Sequence, residues 1–232
     1  MADIANLMDD FAHEMGFRHF ALIHHDDLRA DPPERVKILR YPSAIADRII
    51  GERHYRRDPI IRGCIFSDSA FLWSRLATFM TLNRADRESF AFGLRHGLNE
   101  GITVPCTILG DCTGSCTFAG LKNASRAERF LGSVQMVGIF AFQAARRIVY
   151  GSPLIRARPR LHPRPRDCVV LAGRGLSNKQ IARALGLTPR TVDGYMTEAR
   201  RLFDAHDRTE LVICAILAGE VGLHELQARQ PG

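Results

Sequence analysis

Hydrophobic residues near the C-terminus recur with the spacing of two short helices joined by a turn. Ile181, Ala182 and Leu185 form a short amphipathic run that ends at Gly186. After this glycine, apolar residues recur at helical spacing on one face: Val192, Tyr195, Met196, Ala199, Leu202 and Phe203. The pattern predicts two amphipathic helices separated by a tight turn.

Both predicted helices have a start signal in the sequence. The Ser177 hydroxyl can accept the Gln180 amide N–H while the Gln180 side chain reaches back, which is a capping box. Thr188 can cap the second helix, and Pro189 fits its first turn, where the missing N–H costs nothing. Two capped helices around a glycine turn are typical of a helix-turn-helix motif, although an ordinary helical hairpin gives a similar pattern.

The face opposite the apolar stripe of the second helix carries small and polar residues. A DNA major groove admits such residues because base edges are read by hydrogen bonds and phosphates by guanidinium groups. The DNA-contacting residues predicted here are Lys179, Thr188, Arg190, Thr191, Asp193, Gly194, Thr197, Arg200 and Arg201. A solvated helix face is the alternative interpretation.

The first 150 residues mix helical and strand patterns. Predicted helices cover residues 3–15, 43–55, 84–96 and 125–149, the last with one apolar face that includes Met136 and Phe140. Predicted strands cover residues 20–23, 36–39, 102–108 and 115–118, and Gly110-Asp111 between the last two indicates a hairpin. We therefore expect an α+β domain, an antiparallel sheet with helices packed on both faces, followed by an all-α domain.

Length and composition agree with two globular domains. The chain has 232 residues, 46% of them hydrophobic and 25% charged. We expect an α+β domain over residues 1–150, a Pro/Arg-rich linker over 151–163 and a helical domain over 164–232. Without a secretory leader or an apolar run of eighteen residues, the chain is expected to be cytoplasmic, with no membrane contact.

The net charge of +7 suits a nucleic-acid partner, but the helical domain holds little of it. From Leu161 to Gly232 there are ten Lys and Arg residues and eight Asp and Glu residues. Much of the excess lies around the linker, at Arg146, Arg147, Arg156, Arg158, Arg160, Arg164 and Arg166. These arginines either neutralise phosphates or are simply solvated.

Enzyme and metal chemistry find no support in the sequence. His24-His25-Asp26-Asp27 lacks a second ligand cluster, so no metal site and no cofactor are expected. The six cysteines include no Cys-x-x-Cys pair and are interpreted as reduced packing residues, with a redox pair of Cys112 and Cys116 as the alternative. A Ser-His-Asp order and a Gly-rich phosphate loop are both missing, which argues against an enzyme. The βα alternation of a receiver domain is missing as well.

The C-terminal stretch resembles the DNA-binding domain of the LuxR family of bacterial transcription regulators. The residues that carry the resemblance are Leu161-His162-Pro163-Arg164, residues 175–182, Thr191-Val192 and residues 207–210. The resemblance implies four helices near 164–172, 177–185, 189–203 and 208–219, with the third in the major groove of DNA. Pro165 replaces a usual glutamate and Asp193 a usual basic residue. Asp193 either accepts from a cytosine amino group or faces solvent.

The N-terminal half is similar to the autoinducer-binding domain of the same family, which senses acyl-homoserine lactones. The matching segments are Tyr41-Pro42, Asp58-Pro59, Phe71-Leu72-Trp73, residues 97–105 and residues 114–118. The resemblance implies that Asp58 accepts the ligand's amide N–H and that Tyr41 donates to an acyl oxygen. It also implies that Trp73 packs against the head ring, with Thr103 and Thr117 in the same site. On residue type alone, Asp58 before Pro59 is also a common cap or turn, and a lone Trp is often core.

Two positions depart from the family pattern, Ile45 and Ile49, where a tryptophan and a tyrosine are usual. Isoleucine offers no donor, and a buried carbonyl left unpaired costs about 1–3 kcal/mol, roughly 5- to 150-fold in affinity. His54, Tyr55 or an arginine could supply another donor. We therefore expect a small-molecule signal other than a standard acyl-homoserine lactone, or one bound differently.

The partners implied are a palindromic promoter DNA, the small-molecule signal, a second copy of the chain and RNA polymerase. A homodimer is expected because one short helix reads too few base pairs to be selective. The apolar helix at 211–218 and the long helix at 125–149 are the candidate dimer surfaces, and a plain core role is the alternative for each. An N-terminal half that serves only dimerisation is the second functional hypothesis.

Overall fold

The computed structural model describes residues 1–25, 35–51, 57–108, 113–121, 124–151 and 159–227. It divides into two compact units, Met1–Leu154 and Ile155–Gly232. Several residues and segments named in the sequence analysis lie outside the described residues: Asp26, Asp27, His54, Tyr55, Gly110-Asp111, Cys112, Arg156, Arg158 and residues 152–158 of the predicted linker. In the described part, no helix is long and apolar enough to cross a membrane.

The first unit is built on a five-stranded antiparallel sheet with the strand order β2-β1-β5-β4-β3. The strands are β1 (His19–His24), β2 (Lys37–Arg40), β3 (Phe71–Leu72), β4 (Gly101–Cys106) and β5 (Gly114–Ala119). In the register of the three central strands, Phe20 lies opposite Phe118, and Thr103 lies opposite Thr117. The four predicted strands are therefore present, and β3 is an additional one.

Helices of this unit cover both faces of the sheet. They are α1 (Ala2–Met15), α2 (Ser43–Ala46), α3 (Pro59–Gly63), α4 (Arg84–Arg95) and α5 (Leu131–Tyr150). One face packs against α1 and α5 through alternating strand residues such as Leu22, Val104 and Phe118, all fully buried. The other face meets α2, α3 and α4 around a second apolar cluster that includes Ile45 and Trp73. The expected α+β architecture is confirmed.

Two of the predicted helices are not regular α-helices throughout. Over its described residues 43–51, the predicted helix 43–55 is α-helical in α2 and continues as a π-helical turn at Asp47–Gly51. The predicted helix 125–149 begins as a 3₁₀ helix at Ala124–Phe130, which buries only Ala127 among its residues from 125 to 129. The start of this helix is poorly buried, and helix ends often take the tighter 3₁₀ form.

Three short elements were not predicted: α3, β3 and a 3₁₀ helix at Trp73–Thr78. Each spans two to six residues, which is too short for a hydrophobic period to be read along the chain. The expected apolar face of α5 was also partly wrong, since Met136 and Phe140 are 61% and 65% exposed. The buried face of α5 runs instead through Val134, Gly138, Ala141, Phe142 and Ala145.

The second unit is all-helical. Its helices are α6 (Pro163–Gly173), α7 (Asn178–Leu185), α8 (Pro189–Phe203), α9 (Arg208–Leu217) and the single-turn α10 (Leu223–Leu226). The four predicted helices are confirmed, and α10 is additional. They enclose one core whose fully buried members include Cys168, Ile181, Val192 and Leu211. Leu202 was predicted on the apolar face of α8 but is 44% exposed, because it lies off the line of Val192, Met196 and Ala199.

The caps expected from sequence form in this unit. The Ser177 N–H donates to Gln180 Oε1 at 2.8 Å, and Thr188 Oγ1 accepts from the Thr191 N–H at 3.1 Å. Gly186 between them adopts a left-handed conformation with φ of 66°, which a glycine tolerates at little cost. These caps set where α7 ends and α8 begins.

The close packing of α5 on the sheet can be tested by substituting two glycines of the same helix, one packed against the sheet and one in open space. A Cβ at Gly138 would lie 2.9 Å from Val104 Cγ2 and 3.1 Å from the Cβ of Cys116, whereas a Cβ at Gly132 meets nothing within 4 Å. We expect Gly132→Ala to stabilise the unit by about 0.5–1 kcal/mol, the gain in helix propensity. Gly138→Ala is expected to destabilise it by about 1–3 kcal/mol through overpacking.

Urea unfolding followed by the fluorescence of Trp73, the single tryptophan of the chain, reports on this unit. Equal stability changes for the two alanine variants would contradict the close contact of α5 with β4.

Candidate functional site

A cavity of about 80 Å³ lies on the sheet face that α2, α3 and α4 cover. Because side chains alternate along a strand, this face receives Ala21 and Ile23 from β1 and Ser115 and Thr117 from β5. The small size of Ala21, Ser115 and Thr117 leaves room for the cavity. Apolar groups from the helices and from the loop after α4 form most of its remaining wall, among them Ile45, Ile49, Ile60, Ile61, Phe90, Phe92 and Leu98.

The structure brings six of the seven predicted ligand-site residues to the wall of this one cavity. They are Tyr41, Ile45, Ile49, Asp58, Trp73 and Thr117. The seventh, Thr103, is fully buried behind the wall and contacts two of them. The residues are spread over 77 positions of the sequence, from Tyr41 to Thr117, so only the fold assembles them.

A hydrogen-bonded chain runs along the sheet side of the cavity. Trp73 Nε1 donates to Thr103 Oγ1 at 3.0 Å, and Thr103 Oγ1 lies 2.9 Å from Thr117 Oγ1. The Tyr41 hydroxyl hydrogen-bonds to Thr117 in turn. This chain satisfies the buried polar groups and fixes the orientation of the indole and phenol rings.

Two neighbouring residues let the indole ring lie against the sheet. A Cβ at Gly101 would approach Trp73 Cε2 to 2.6 Å, so only a glycine allows this approach. The buried carboxylate of Glu100 accepts the N–H groups of Ser74 at 3.3 Å and of Gly101 at 3.0 Å. Glu100 thereby joins the start of the 3₁₀ helix that carries Trp73 to the start of β4.

Asp58 holds the first turn of α3 and faces the cavity. Its Oδ1 accepts the N–H groups of Ile60 at 2.9 Å and Ile61 at 3.1 Å, and Pro59 occupies the first helical position. Arg62, at the other end of α3, pairs with the buried Asp86 of α4 at 2.8 Å. The cap role that residue type suggested for Asp58 is therefore present, and a carboxylate can accept more hydrogen bonds than these two.

Electrostatics keep the Tyr41 phenol protonated. Burial of the hydroxyl raises the pKa of Tyr41 well above its usual range, and the nearby negative charge of Asp58 raises it further. Tyr41 is therefore a neutral hydroxyl at every physiological pH, able to donate or accept. Next to the cavity, burial lowers the pKa of His25 to about 4, and this ring lies 2.8 Å from the Ser115 hydroxyl.

Sequence reasoning did not assign one charged residue of the cavity wall, Arg48. It lies on the π-helical turn between Ile45 and Ile49, and its guanidinium lies 4.2 Å from the centroid of the Phe92 ring. An arginine was among the residues expected to replace the missing donor, but its position was not predicted. Spacing alone could have suggested Arg48, since it follows Ile45 by three residues.

The second unit presents the predicted DNA-contacting residues on one exposed surface around α8. Lys179, Thr188, Arg190, Asp193, Gly194, Thr197 and Arg201 are exposed, and Thr191 and Arg200 are half-buried. Val192, Met196 and Ala199 on the opposite face are buried in the core. The helix is thus anchored by its apolar side and leaves its polar side accessible.

Asp193 has a structural partner that sequence reasoning missed. The side-chain amide of Asn178, at the start of α7, donates to Asp193 Oδ1. Asn178 Oδ1 accepts from Arg208 Nη1 at 2.8 Å, and Arg208 also donates to the carbonyl oxygen of Leu176. The exposed carboxylate is therefore part of a network that ties α7, α8 and α9 together.

Exposed apolar side chains mark the two surfaces predicted for dimerisation. On α9, Ile213 and Leu217 are 50% and 45% exposed, while Leu211 and Ala215 are buried on the other side of the helix. On α5, Met136 and Phe140 are exposed one turn apart. In the described part of the chain, five cysteines carry free thiols, and no group of three or more His, Cys, Asp or Glu side chains is arranged to hold a metal ion.

Comparison with known proteins agrees with this arrangement. Residues 1–147 match the family described as "Autoinducer binding domain", and residues 160–215 match "Bacterial regulatory proteins, luxR family". The quorum sensing-dependent transcriptional regulator RpaR of Rhodopseudomonas palustris is 27% identical over 90% of this chain and 84% of its own length. The transcriptional activator BjaR1 of Bradyrhizobium diazoefficiens is 25% identical over 79% of this chain and 74% of its own length.

Solved structures show the same fold. The crystal structure of Escherichia coli SdiA superposes with a TM-score of 0.59 at 14% identity, covering 94% of this chain and 91% of SdiA. SdiA in complex with octanoyl-rac-glycerol gives a TM-score of 0.57 over 94% of this chain and 88% of SdiA. With an autoinducer-binding domain followed by a LuxR-type helix-turn-helix, the chain belongs to the LuxR family of bacterial quorum-sensing transcriptional regulators and not to a family of enzymes.

Proposed function

We propose that this regulator binds a small amide-containing signal in the cavity of the first unit and binds promoter DNA through α8 as a homodimer. The observation that carries the proposal is the convergence of Tyr41, Asp58, Trp73 and Thr117 on one cavity. Ligand binding would stabilise the folded sensor by mass action and favour the DNA-competent state.

The cavity favours a ligand other than a standard acyl-homoserine lactone, or one bound differently. Asp58 would accept the amide N–H, Tyr41 would donate to an acyl oxygen, and the Trp73 ring would lie against the head group. The indole N–H of Trp73 already donates to Thr103, and Ile45 and Ile49 have no donor. A lactone carbonyl at that end therefore finds no partner in these three side chains.

Cavity size supports a second hypothesis, a ligand-independent regulator whose first unit only dimerises. A volume of about 80 Å³ is well below the roughly 300–1,000 Å³ of typical small-molecule pockets. A ligand of ordinary size would need lining side chains to change rotamer. Equal affinity for operator DNA with and without host-cell extract would favour this hypothesis over a sensor.

The ligand hypothesis predicts how Asp58→Asn behaves. Asparagine still caps α3, so the variant is expected to fold, but it removes the charged acceptor for the ligand amide. We expect wild type to bind N-octanoyl-homoserine lactone no more tightly than micromolar, and Asp58→Asn to weaken binding roughly 10-fold or more. Calorimetry on the full chain measures both affinities.

Asp10→Asn on the exposed surface of α1 is the matched control and should bind like wild type. Nanomolar affinity of wild type for this lactone would contradict the proposal of an atypical ligand. Unchanged affinity in Asp58→Asn would contradict the role of Asp58.

The DNA hypothesis predicts a change in salt dependence. Arg201 is exposed on α8, and we propose that it neutralises a phosphate. Arg201→Gln should reduce the slope of log K against log salt concentration by about 0.9 on a random-sequence 30-bp duplex. Arg84→Gln removes an equally charged and highly exposed side chain from the first unit and should leave the slope unchanged. Equal slopes for the two variants would exclude a phosphate contact by Arg201.

The homodimer hypothesis predicts a loss of self-association when α9 is charged. Ile213 and Leu217 share one exposed face of α9 and would be buried by a second copy. We expect Ile213→Glu to weaken dimerisation at least tenfold in sedimentation equilibrium. Leu7→Glu, at a residue 61% exposed on α1, is the control and should dimerise like wild type. An unaffected dimer in Ile213→Glu would remove α9 from the interface.

A further inference from the structure

Arg48 and Asp58 are the two charged side chains among the described residues that line the cavity. They carry opposite charges, and the remaining lining groups are apolar or neutral hydroxyls. A ligand that satisfies both must present a hydrogen-bond donor to Asp58 and an acceptor to Arg48. The cavity therefore selects for a ligand with two different polar ends.

The position of Arg48 relative to the two aliphatic residues decides where that acceptor lies. Arg48 follows Ile45 by three residues and precedes Ile49 by one, and all three side chains line the same cavity. They lie at the junction of α2 with the π-helical turn at Asp47–Gly51. Such turns are rare and recur at functional sites. Arg48 thus offers hydrogen-bond donors beside the two side chains that have none.

Contact with Phe92 of α4 places the guanidinium on the cavity wall. The Arg48 guanidinium carbon lies 4.2 Å from the ring centroid, within the range of a cation–π interaction. Phe92 itself lines the cavity, so the planar fork lies at the cavity wall. A guanidinium carries five N–H donors and can serve a ligand oxygen in addition to its partners in the protein.

The indole N–H of Trp73 already donates to Thr103. In the proposed function the Tyr41 hydroxyl serves an acyl oxygen, so the head group needs another donor. A neutral carbonyl takes one N–H of Arg48, whereas a carboxylate takes two in parallel from the planar fork and carries the opposite charge. The charge and the fork geometry both favour the carboxylate.

We propose that Arg48 determines ligand specificity by pairing with a carboxylate, so that the signal is an amide-linked carboxylic acid with an apolar tail. This inference rests on the proposed function of the cavity as a ligand site. Asp58 takes the amide N–H, Arg48 takes the carboxylate, and the apolar wall formed by Ile45, Ile49 and Phe90 takes the tail.

Two probes that differ only at the head group test the proposal on the full chain. N-Octanoyl-homoserine lactone and its ring-opened acid, N-octanoyl-homoserine, share the tail and the amide N–H, but only the second has a carboxylate. Calorimetry should show at least tenfold tighter binding of the acid by wild type. Arg48→Gln should weaken binding of the acid by 10- to 100-fold and change binding of the lactone less than threefold.

Two further variants control for side effects. Arg95→Gln removes another guanidinium that lies over the Phe92 ring, at 5.8 Å, but does not line the cavity, so both affinities should stay unchanged. Arg48→Lys keeps the charge and loses the fork, and should retain part of the preference for the acid. The Lys variant keeps the test decisive if Arg48→Gln folds poorly.

The outcomes of this experiment distinguish a failure of the Arg48 proposal from a failure of the proposed ligand site. Tighter binding of the lactone than of the acid, or an unchanged affinity of Arg48→Gln for the acid, overturns the role of Arg48. If binding is still lost in Asp58→Asn in that case, the proposed ligand site stands. Binding of neither probe to wild type overturns both.

Discussion

The alternation of side chains along three central strands is the constraint on which the first unit depends. Residues such as Leu22, Val104 and Phe118 point to one face and are sealed under α1 and α5. Gly138 allows α5 to approach Val104 closely, so α5 packs directly on this face. Small residues point to the other face, where Ala21, Ser115 and Thr117 leave the cavity open. A shift of register by one residue would exchange the two faces and destroy both.

Hydrogen bonds within the protein then decide which polar groups a ligand can use. The chain from Trp73 through Thr103 and Thr117 to Tyr41 satisfies most of the buried donors on the sheet side. Asp58 has acceptor capacity beyond the two N–H groups that it caps. Ile45 and Ile49 add aliphatic surface in place of the family's aromatic donors. The cavity is therefore asymmetric, with a carboxylate at one position, a guanidinium at another and apolar walls between them.

Most of this architecture could be predicted from the sequence wherever it depends on contacts between residues that are neighbours in the chain. Capping residues and a glycine placed α7 and α8 within one residue of their observed starts, because a cap is a contact between neighbours in the chain. The family pattern brought six cavity residues together, although spacing alone could not. The spacing from Ile45 could have suggested Arg48, but its contact with Phe92, a residue on a different helix, could not be predicted from the sequence. The π-helical turn and α3 were not predicted, because neither is long enough to show a hydrophobic period along the chain.

Asp193 shows how a residue that breaks the family pattern is accommodated in the fold. An acid on the side of α8 that we propose faces DNA would by itself repel phosphates. Here its Oδ1 accepts from Asn178, and Asn178 in turn accepts from Arg208, which also binds the Leu176 carbonyl oxygen. The nearby guanidinium and amide offset part of the negative charge while they join α8 to α7 and α9. The same carboxylate thus costs less electrostatically than its exposure suggests, and it orients the helix that carries the exposed Arg190 and Arg201.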